Sequence, residues 1–262
     1  MTRVGVFGAG GRMGMAVCHA VHDDPELELV AAVDPHYSGI DICEVTGISG
    51  CTFEVSSDAS SLLQSKVDVA IDFTHPDAAR VNLEFCAANG IHDVVGTSGF
   101  TEQDFASIGD SFTSSNCLIA PNFAIGAVLM MRFAEMAAPY FETAEIIELH
   151  HDKKVDAPSG TAISTVERMA AASVDWADDP TEAEVIANAR GAEGPAGIRV
   201  HSVRMRGMVA HQEVMLGTAG QTLSIRHDSY DRSSFMPGVV LAAKRIAGLS
   251  GLTVGLDAVL GI

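Results

Sequence analysis

A glycine-crowded turn between an apolar run and an amphipathic stretch constrains this chain more than any other feature. Val4, Gly5, Val6 and Phe7 read as a buried strand, Gly8-Ala9-Gly10-Gly11-Arg12-Met13-Gly14 as a tight turn, and residues 13–21 as a helix with apolar or small side chains at helical spacing. Gly8, Gly11 and Gly14 follow a G-x-x-G-x-x-G spacing; the commoner G-x-G-x-x-G turn would want a small residue where Met13 stands. Residues without Cβ let backbone turn sharply and approach a ligand, and the helix N-terminus behind them offers unpaired N–H groups to an anion. Such a strand-turn-helix opens one half of a doubly wound α/β sheet, and a dinucleotide pyrophosphate is the anion it suits.

The following segments keep the same grammar. Residues 27–33 form a second apolar strand ending at Asp34, twenty residues after Gly14, where a carboxylate can accept hydrogen bonds from adenine-ribose hydroxyls. Only Pro35 and His36 follow it, so no dedicated 2′-phosphate clamp is visible; this favours NADH, with Arg12 still able to tolerate NADPH. Residues 38–50 read as an irregular excursion and 67–73 as a third strand, followed by a helix that Pro76 begins and Gly90 ends. A strand at 92–95 leads into Gly96-Thr97-Ser98-Gly99, Thr101 caps a helix with Asp104 three residues on, and 117–120 is a strand running into Ala120-Pro121-Asn122-Phe123. Alternation of this kind predicts a parallel sheet covered on both faces, whose strand-end turns lie where open α/β sheets bind ligands. Taken singly, these turn residues are explained equally well by loop chemistry.

After Asn122 the pattern changes. An Ala- and Met-rich helix at 125–138 precedes strand-like segments at 143–150, 198–206 and 211–227, the last broken by Gly217 and Gly220 as a hairpin. The expectation is an α+β second domain on a mixed or largely antiparallel sheet. A helix at 235–249 and an apolar tail at 252–262 are expected to return to the first domain, giving a dinucleotide-binding domain of 1–123 with 237–262 and a substrate domain of 124–236. A substrate cleft is expected between them.

Charge and cysteine usage narrow the partners. With 34 acidic against 16 basic residues, the formal charge of -18 repels nucleic-acid phosphates, and an anionic substrate would need a local basic pocket. The five cysteines include no Cys-x-x-Cys pair, so neither a disulfide framework nor a metal site is expected. Met1 and Thr2 lead straight into the first apolar run, no run is long enough to cross a bilayer, and a reducing cytoplasm is the expected setting.

That basic pocket has one candidate, the segment 148–162, which concentrates titratable groups in a chain otherwise poor in Lys. If the strand continues through Lys154, then His150 and Lys154 share a face by the period of two. Histidine suits proton transfer near neutral pH, and lysine offers a compact positive charge to a carboxylate. Pro158-Ser159-Gly160-Thr161 then opens a helix whose N–H groups form a second anion site, although Ser159 or Thr161 serves equally well as an N-cap. The conjunction suggests a dicarboxylate held near a proton donor.

At this point the sequence resembles the dihydrodipicolinate reductase (4-hydroxy-tetrahydrodipicolinate reductase) family, across essentially the whole chain. The signature Glu-x-His-His-x-x-Lys-x-Asp-Ala-Pro-Ser-Gly-Thr-Ala is met at every fixed position from Glu148 to Ala162. The glycine turn, Asp72-Phe73-Thr74, Gly96-Thr97-Ser98-Gly99, Ala120-Pro121-Asn122-Phe123 and the stretch 204–214 with His211 stand in the family's order, and the run His227-Asp228-Ser229-Tyr230-Asp231-Arg232 is similar to its actinobacterial branch. The resemblance implies reduction of a cyclic dicarboxylate with NADH or NADPH in the diaminopimelate route to lysine. It implies His150 as proton donor and acceptor, Lys154 as a second proton donor that also holds substrate, and His151, Gly160 and Thr161 as carboxylate ligands. Gly8, Ala9, Gly10, Gly11, Arg12, Met13, Asp34, Gly96, Thr97, Ser98, Ala120, Pro121, Asn122 and Phe123 would contact the cofactor, and the second domain's sheet would assemble a homotetramer. Asp152 is acidic where some relatives carry a basic residue. Two rivals stand beside this reading: another Rossmann reductase of a small dicarboxylate, which would lack the His-His-x-x-Lys run, and a non-catalytic dinucleotide sensor, which would have lost His150 or Lys154.

Overall fold

The structure, a computed structural model, describes residues 1–262. In chain order the elements are β1 (Thr2–Phe7), α1 (Arg12–Asp23), β2 (Leu27–Val33), α2 (Ile42–Thr46), α3 (Ser60–Gln64), β3 (Val69–Asp72), α4 (Pro76–Asn89), β4 (His92–Val95), α5 (Glu102–Ser111) and β5 (Cys117–Ile119). They continue with α6 (Ile125–Ala137), β6 (Thr143–His150), α7 (Gly160–Ala172), β7 (Ala192–Glu193), β8 (Arg199–Arg204), β9 (Ala210–Thr218), β10 (Gln221–Ser229), α8 (Met236–Arg245), β11 (Leu252–Val254) and α9 (Asp257–Leu260). Two units separate: Met1–Phe123 with Arg232–Ile262, and Ala124–Asp231.

The first unit carries a six-stranded sheet in the order β11-β5-β4-β3-β1-β2, every pairing parallel. Strands buried on both faces must be apolar throughout, and β3, β4 and β5 are buried almost without interruption. The register sets the ligand edge. Phe7 lies level with Val33 and Asp72, Asp72 with Val95, and Val95 with Ile119, so the residues that follow these positions emerge along one line at the carboxyl ends. The direction of winding reverses at β1, between β2 and β3, the point where doubly wound sheets open a crevice.

Local signals explain the helices. Pro76 occupies the first turn of α4 and Gly90 closes it at φ 69. Thr101 and Asp104 form a reciprocal capping box at the head of α5. The excursion after β2 is more ordered than its composition suggests, since α2 sits within it and Asp34 N–H donates to Ser56 O at 2.8 Å. The last long helix is shorter than the pattern implies, ending at Arg245 and continuing as the 3-10 turn Ile246–Gly248; the tail supplies β11, which pairs with β5 as the sixth strand.

The second unit holds a mixed five-stranded sheet ordered β10-β9-β6-β8-β7, with β6 and β8 parallel and the other pairs antiparallel. Gly220, at φ 80, makes the β9–β10 turn; Gly217 lies inside β9 instead, where a Cβ would meet Thr143 Oγ1 at 2.9 Å. Helix α7 buries Ala162, Thr165, Val166 and Met169, and Gln212 Nε2 on β9 donates to Thr165 Oγ1 at 2.7 Å.

Two buried residues of the parallel sheet, Asp72 and Asp93, break the apolar rule. Asp93 on β4 is fully buried, and neither carboxylate oxygen meets a donor of good geometry, the Cys86 thiol lending weak support. Burial, then the Asp72 carboxylate, push its pKa well above the ordinary range. The folded chain therefore keeps a proton that the unfolded chain releases, so stability is greatest below the unfolded value of about 3.9 and falls as pH rises from there toward the raised folded value. Asp93→Val should raise the thermal midpoint at neutral pH by roughly 2–4 °C or more, with the gain shrinking below about pH 4. Differential scanning calorimetry at both pH values checks this; a lowered midpoint at pH 7 would show that the carboxyl stabilises the core.

Candidate active site

Two clusters of functional side chains form, one within each unit. In the first, the chain leaves β1 at Gly8, whose φ of 68 is a left-handed conformation that an L side chain rarely adopts. Gly8 N–H donates to Val33 O at 2.8 Å and Gly11 N–H to Gly8 O at 2.9 Å, closing the turn. A Cβ on Gly14 would lie 2.0 Å from Gly8 O, so helix and turn can meet this closely only at glycine. No side chain caps α1, whose first turn faces outward at exposed Gly11 and Arg12. The backbone N–H groups and dipole of that turn suit an anion.

Beside the turn, Asp34 Oδ2 accepts from Gly10 N–H at 3.0 Å and Oδ1 from His36 N–H at 3.0 Å. The carboxylate is thereby fixed at the wall of a groove of about 890 Å³ whose lining includes Gly8, Gly11, His36, Thr74 and Phe85. Each carboxylate oxygen retains lone-pair capacity for a further hydroxyl. Across the switch point, buried Asp72 accepts from Thr74 N–H and Oγ1 and from Asn82 Nδ2, and burial raises its pKa against those bonds. Thr97 Oγ1 donates to Thr74 O at 2.8 Å, tying the third and fourth turns together, and the Phe123 ring stands 5.6 Å from that of Phe73. Gly96 is required here as well, because a Cβ would strike the Phe73 ring at 2.0 Å. Ser98 and Pro121 are exposed, Ala120 and Phe123 buried, Asn122 half-buried. The cradle, the fixed carboxylate and the long groove together fit a dinucleotide.

The second cluster begins where β6 ends. The strand stops at His150, so the shared-face argument for Lys154 does not hold: Lys154 N–H donates to His151 O at 3.2 Å, closing a turn through Asp152 and Lys153. Lys154 still comes near His150, since its charge is among those that depress the imidazole. Its Nζ lies 2.9 and 2.8 Å from the two oxygens of Asp156. His151 is exposed and its Nδ1 accepts from Lys153 N–H at 3.2 Å. Gly160 and Thr161 form the first turn of α7, capped by Ser159, whose hydroxyl accepts from Ala162 N–H at 3.2 Å; a Cβ on Gly160 would meet open space.

Behind His150 lies a layer that motif reading did not assign. Glu148, on the same strand face, is fully buried and its Oε2 stands 2.5 Å from His150 Nδ1. Arg204, level with His150 on β8, donates Nη1 to Glu148 Oε2 at 2.9 Å and Nη2 to Oε1 at 2.8 Å, and Ser159 N–H reaches Oε1 at 3.3 Å. Burial opposes the charge on Glu148, but Arg204, Ser202 and His150 together hold its pKa below the ordinary carboxylate value. For His150, burial first, joined by the Lys154 and Arg204 charges, lowers the pKa against the pull of Glu148. The signal that could have found Glu148 was present, a glutamate two residues before the histidine in one strand; Arg204 carried none, because register between distant strands is not written in spacing. Asp152, the acidic departure, accepts from Arg206 Nε at 2.9 Å on the surface.

Residues 2–123 match the family model for the N-terminus of dihydrodipicolinate reductase, and 126–260 match that for its C-terminus. A Corynebacterium urealyticum protein named 4-hydroxy-tetrahydrodipicolinate reductase is 47% identical over 269 residues, covering 100% of each chain. A Nocardia farcinica protein of the same name is 49% identical over 262 residues, covering 97% of each. The solved structure of a dipicolinate-bound dihydrodipicolinate reductase from Paenisporosarcina sp. TG-14 has a TM-score of 0.86 at 39% identity, over 98% of this chain and 99% of that one.

The contact at Gly14 gives a direct test of the cradle. Gly14→Ala must displace the turn, with an expected cost of about 1–3 kcal/mol and loss of dinucleotide affinity by more than about tenfold. Thermal melting and fluorescence titration with NADH read the two effects; unchanged affinity would remove this turn from the binding site.

Proposed function

The chain belongs to the dihydrodipicolinate reductase family, and from that premise we propose that it reduces 4-hydroxy-tetrahydrodipicolinate to tetrahydrodipicolinate with NADH or NADPH, in the diaminopimelate route to lysine. The observation that carries the reading is the presence in one chain of an intact glycine cradle and an intact His150-His151-x-x-Lys154 run, with His150 backed by a buried carboxylate. A different reductase on the same fold would need its acid elsewhere, and a sensor would have no use for the second cluster.

The cofactor, when bound, supplies the hydride; the protein's contribution is to bind, orient and move protons. Gly8, Ala9, Gly10, Gly11, Arg12 and Met13 would hold the pyrophosphate at the α1 N-terminus, and Asp34 would take the adenine-ribose hydroxyls. Gly96, Thr97, Ser98, Ala120, Pro121, Asn122 and Phe123, at the ends of β4 and β5, would contact the rest of the cofactor. His150 donates the proton that completes reduction, from an imidazole whose Nδ1 is occupied by Glu148, so that Nε2 is the working nitrogen. Lys154 holds a substrate carboxylate and serves as a second proton donor. His151 and the backbone N–H groups of Gly160 and Thr161 receive the carboxylates, and this basic patch answers the formal charge of -18 carried by the whole chain.

The same reading includes a homotetramer working in the cytoplasm. Ile147, Leu149, Val203 and Met215 stand on the sheet face opposite Ile146 and Glu148 and remain half-exposed, which supports self-association through this sheet. No helix is long and apolar enough to cross a membrane.

The test is loss of nicotinamide absorbance, with NADH and NADPH tried separately and the substrate made in situ from pyruvate and aspartate semialdehyde by the preceding synthase. Oxidation that depends on the synthase is expected; NADH binding without turnover would favour the sensor. Lys154→Ala should lower kcat/KM by more than about tenfold while NADH affinity stays within about twofold. An unaltered kcat/KM would take Lys154 out of the site.

A further inference from the structure

The Arg204 head group is almost fully engaged. Nη1 donates to Glu148 Oε2 and to Val203 O, both at 2.9 Å, while Nη2 donates to Glu148 Oε1 at 2.8 Å and to Asp156 O at 2.7 Å. The remaining donor, Nε, is buried without a partner. A guanidinium spent in this way has no exposed fork to offer a substrate carboxylate. What it does touch is the support of both proposed catalytic side chains: Glu148 behind His150, and the backbone of Asp156, whose carboxylate holds Lys154 Nζ.

We propose that Arg204 is a positioning residue that couples His150 to Lys154, acting on the first through the Glu148 carboxylate and on the second through Asp156. This rests on the proposed function for the roles of His150 and Lys154. Glu148 orients the imidazole by accepting Nδ1–H, presenting Nε2 as the exchanging site, and Arg204 keeps Glu148 in its acceptor-only ionised form. The two hydrogen bonds to one carboxylate fix the plane of the glutamate, and with it the plane of the ring. The third strong bond, to Asp156 O, anchors the turn that carries Lys154 to β8 instead of leaving it to the loop. The charged groups reaching His150 are Glu148 on its own strand, Arg204 on β8 and Lys154 on the following turn; β9 places uncharged Ala210 opposite it.

Opposite signs separate positioning from mere structural support. Glu148→Gln removes the group that favours protonated His150, so its half-protonation should move to lower pH. Arg204→Gln removes a positive neighbour, so the Glu148–His150 pair should take up its proton at higher pH than in the unmodified protein. Arg204→Lys keeps the charge but loses the planar fork, so the titration should stay close to that of the unmodified protein while kcat/KM falls by more than about tenfold. The measurement is ¹⁵N-histidine NMR of the full chain across pH, which reports tautomer and protonation directly, followed by kcat/KM and NADH affinity on the same samples. NADH affinity within about twofold of the unmodified protein verifies the first unit. Shifts of the same sign, an unmoved titration in Glu148→Gln, or full kcat/KM in Arg204→Lys would overturn the proposal. If Arg204→Gln does not fold, Glu148→Gln and Arg204→Lys still decide it. An unmodified protein that never oxidises the cofactor would instead overturn the proposed function, and the NMR result would remain readable.

Discussion

A carboxylate with no solvent exposure cannot stay ionised inside a protein without compensation, and the second unit is organised around the compensation of Glu148. Its four partners come from three elements: Arg204 and Ser202 on β8, His150 on β6 and the Ser159 N–H at the head of α7. Removing one partner of such a pair costs about 3–5 kcal/mol, whereas the intact pair adds little net stability. The arrangement is therefore better understood as a device for holding geometry. It places a strand end and a helix N-terminus against a single charge and, through Arg204 and Asp156 O, ties the turn between them to β8; these three features carry His150, Lys154 and the Gly160-Thr161 amides.

The first unit solves a different problem by different means. Its ligand edge contains few charged side chains and depends on close approach of backbone. Gly14 against Gly8 O and Gly96 against the Phe73 ring are contacts that any larger residue would break. The register that brings Phe7, Val33, Asp72, Val95 and Ile119 level does the rest, because each following turn then opens at the same height. Asp34 joins this edge through two backbone N–H groups, which fix a flexible carboxylate in one orientation. A dinucleotide needs such an edge because its charge is met by N–H groups and helix dipole, with no large local excess of lysine or arginine in an acidic chain.

Much of this is legible in the sequence. Strand-turn-helix order, the capping box at Thr101, the helix opened by Pro76 and the strand-rich character of the second unit all follow from local patterns, since φ preferences, caps and hydrophobic period act within a few residues. The same locality explains the failures. The face shared by His150 and Lys154 assumed a strand that continues, yet the chain turns at Asp152 and Lys153, and Lys154 approaches along another path. The helix in the excursion after β2 has local caps, Asp41 accepting from Cys43 N–H and Gly47 at φ 78, but its five residues are too short for a hydrophobic period to show. Asp93 is a polar residue in a buried strand, and nothing adjacent to it announces that its carboxyl is left without good partners.

The sequence by itself determined the kinds of chemistry available: a backbone cradle for a pyrophosphate, an acid at the end of the second strand, and a histidine, a lysine and a helix start within one short segment. Tertiary structure decided which of those groups are poised. Arg204 lies 54 residues beyond His150 in the chain, and only the parallel pairing of β6 with β8 brings it level with the imidazole and onto Glu148. Spacing along a chain can specify neighbours on one strand or one helix. The protonation state of a buried pair depends on every charge that packing brings within a few ångströms, and packing is a property of the whole fold.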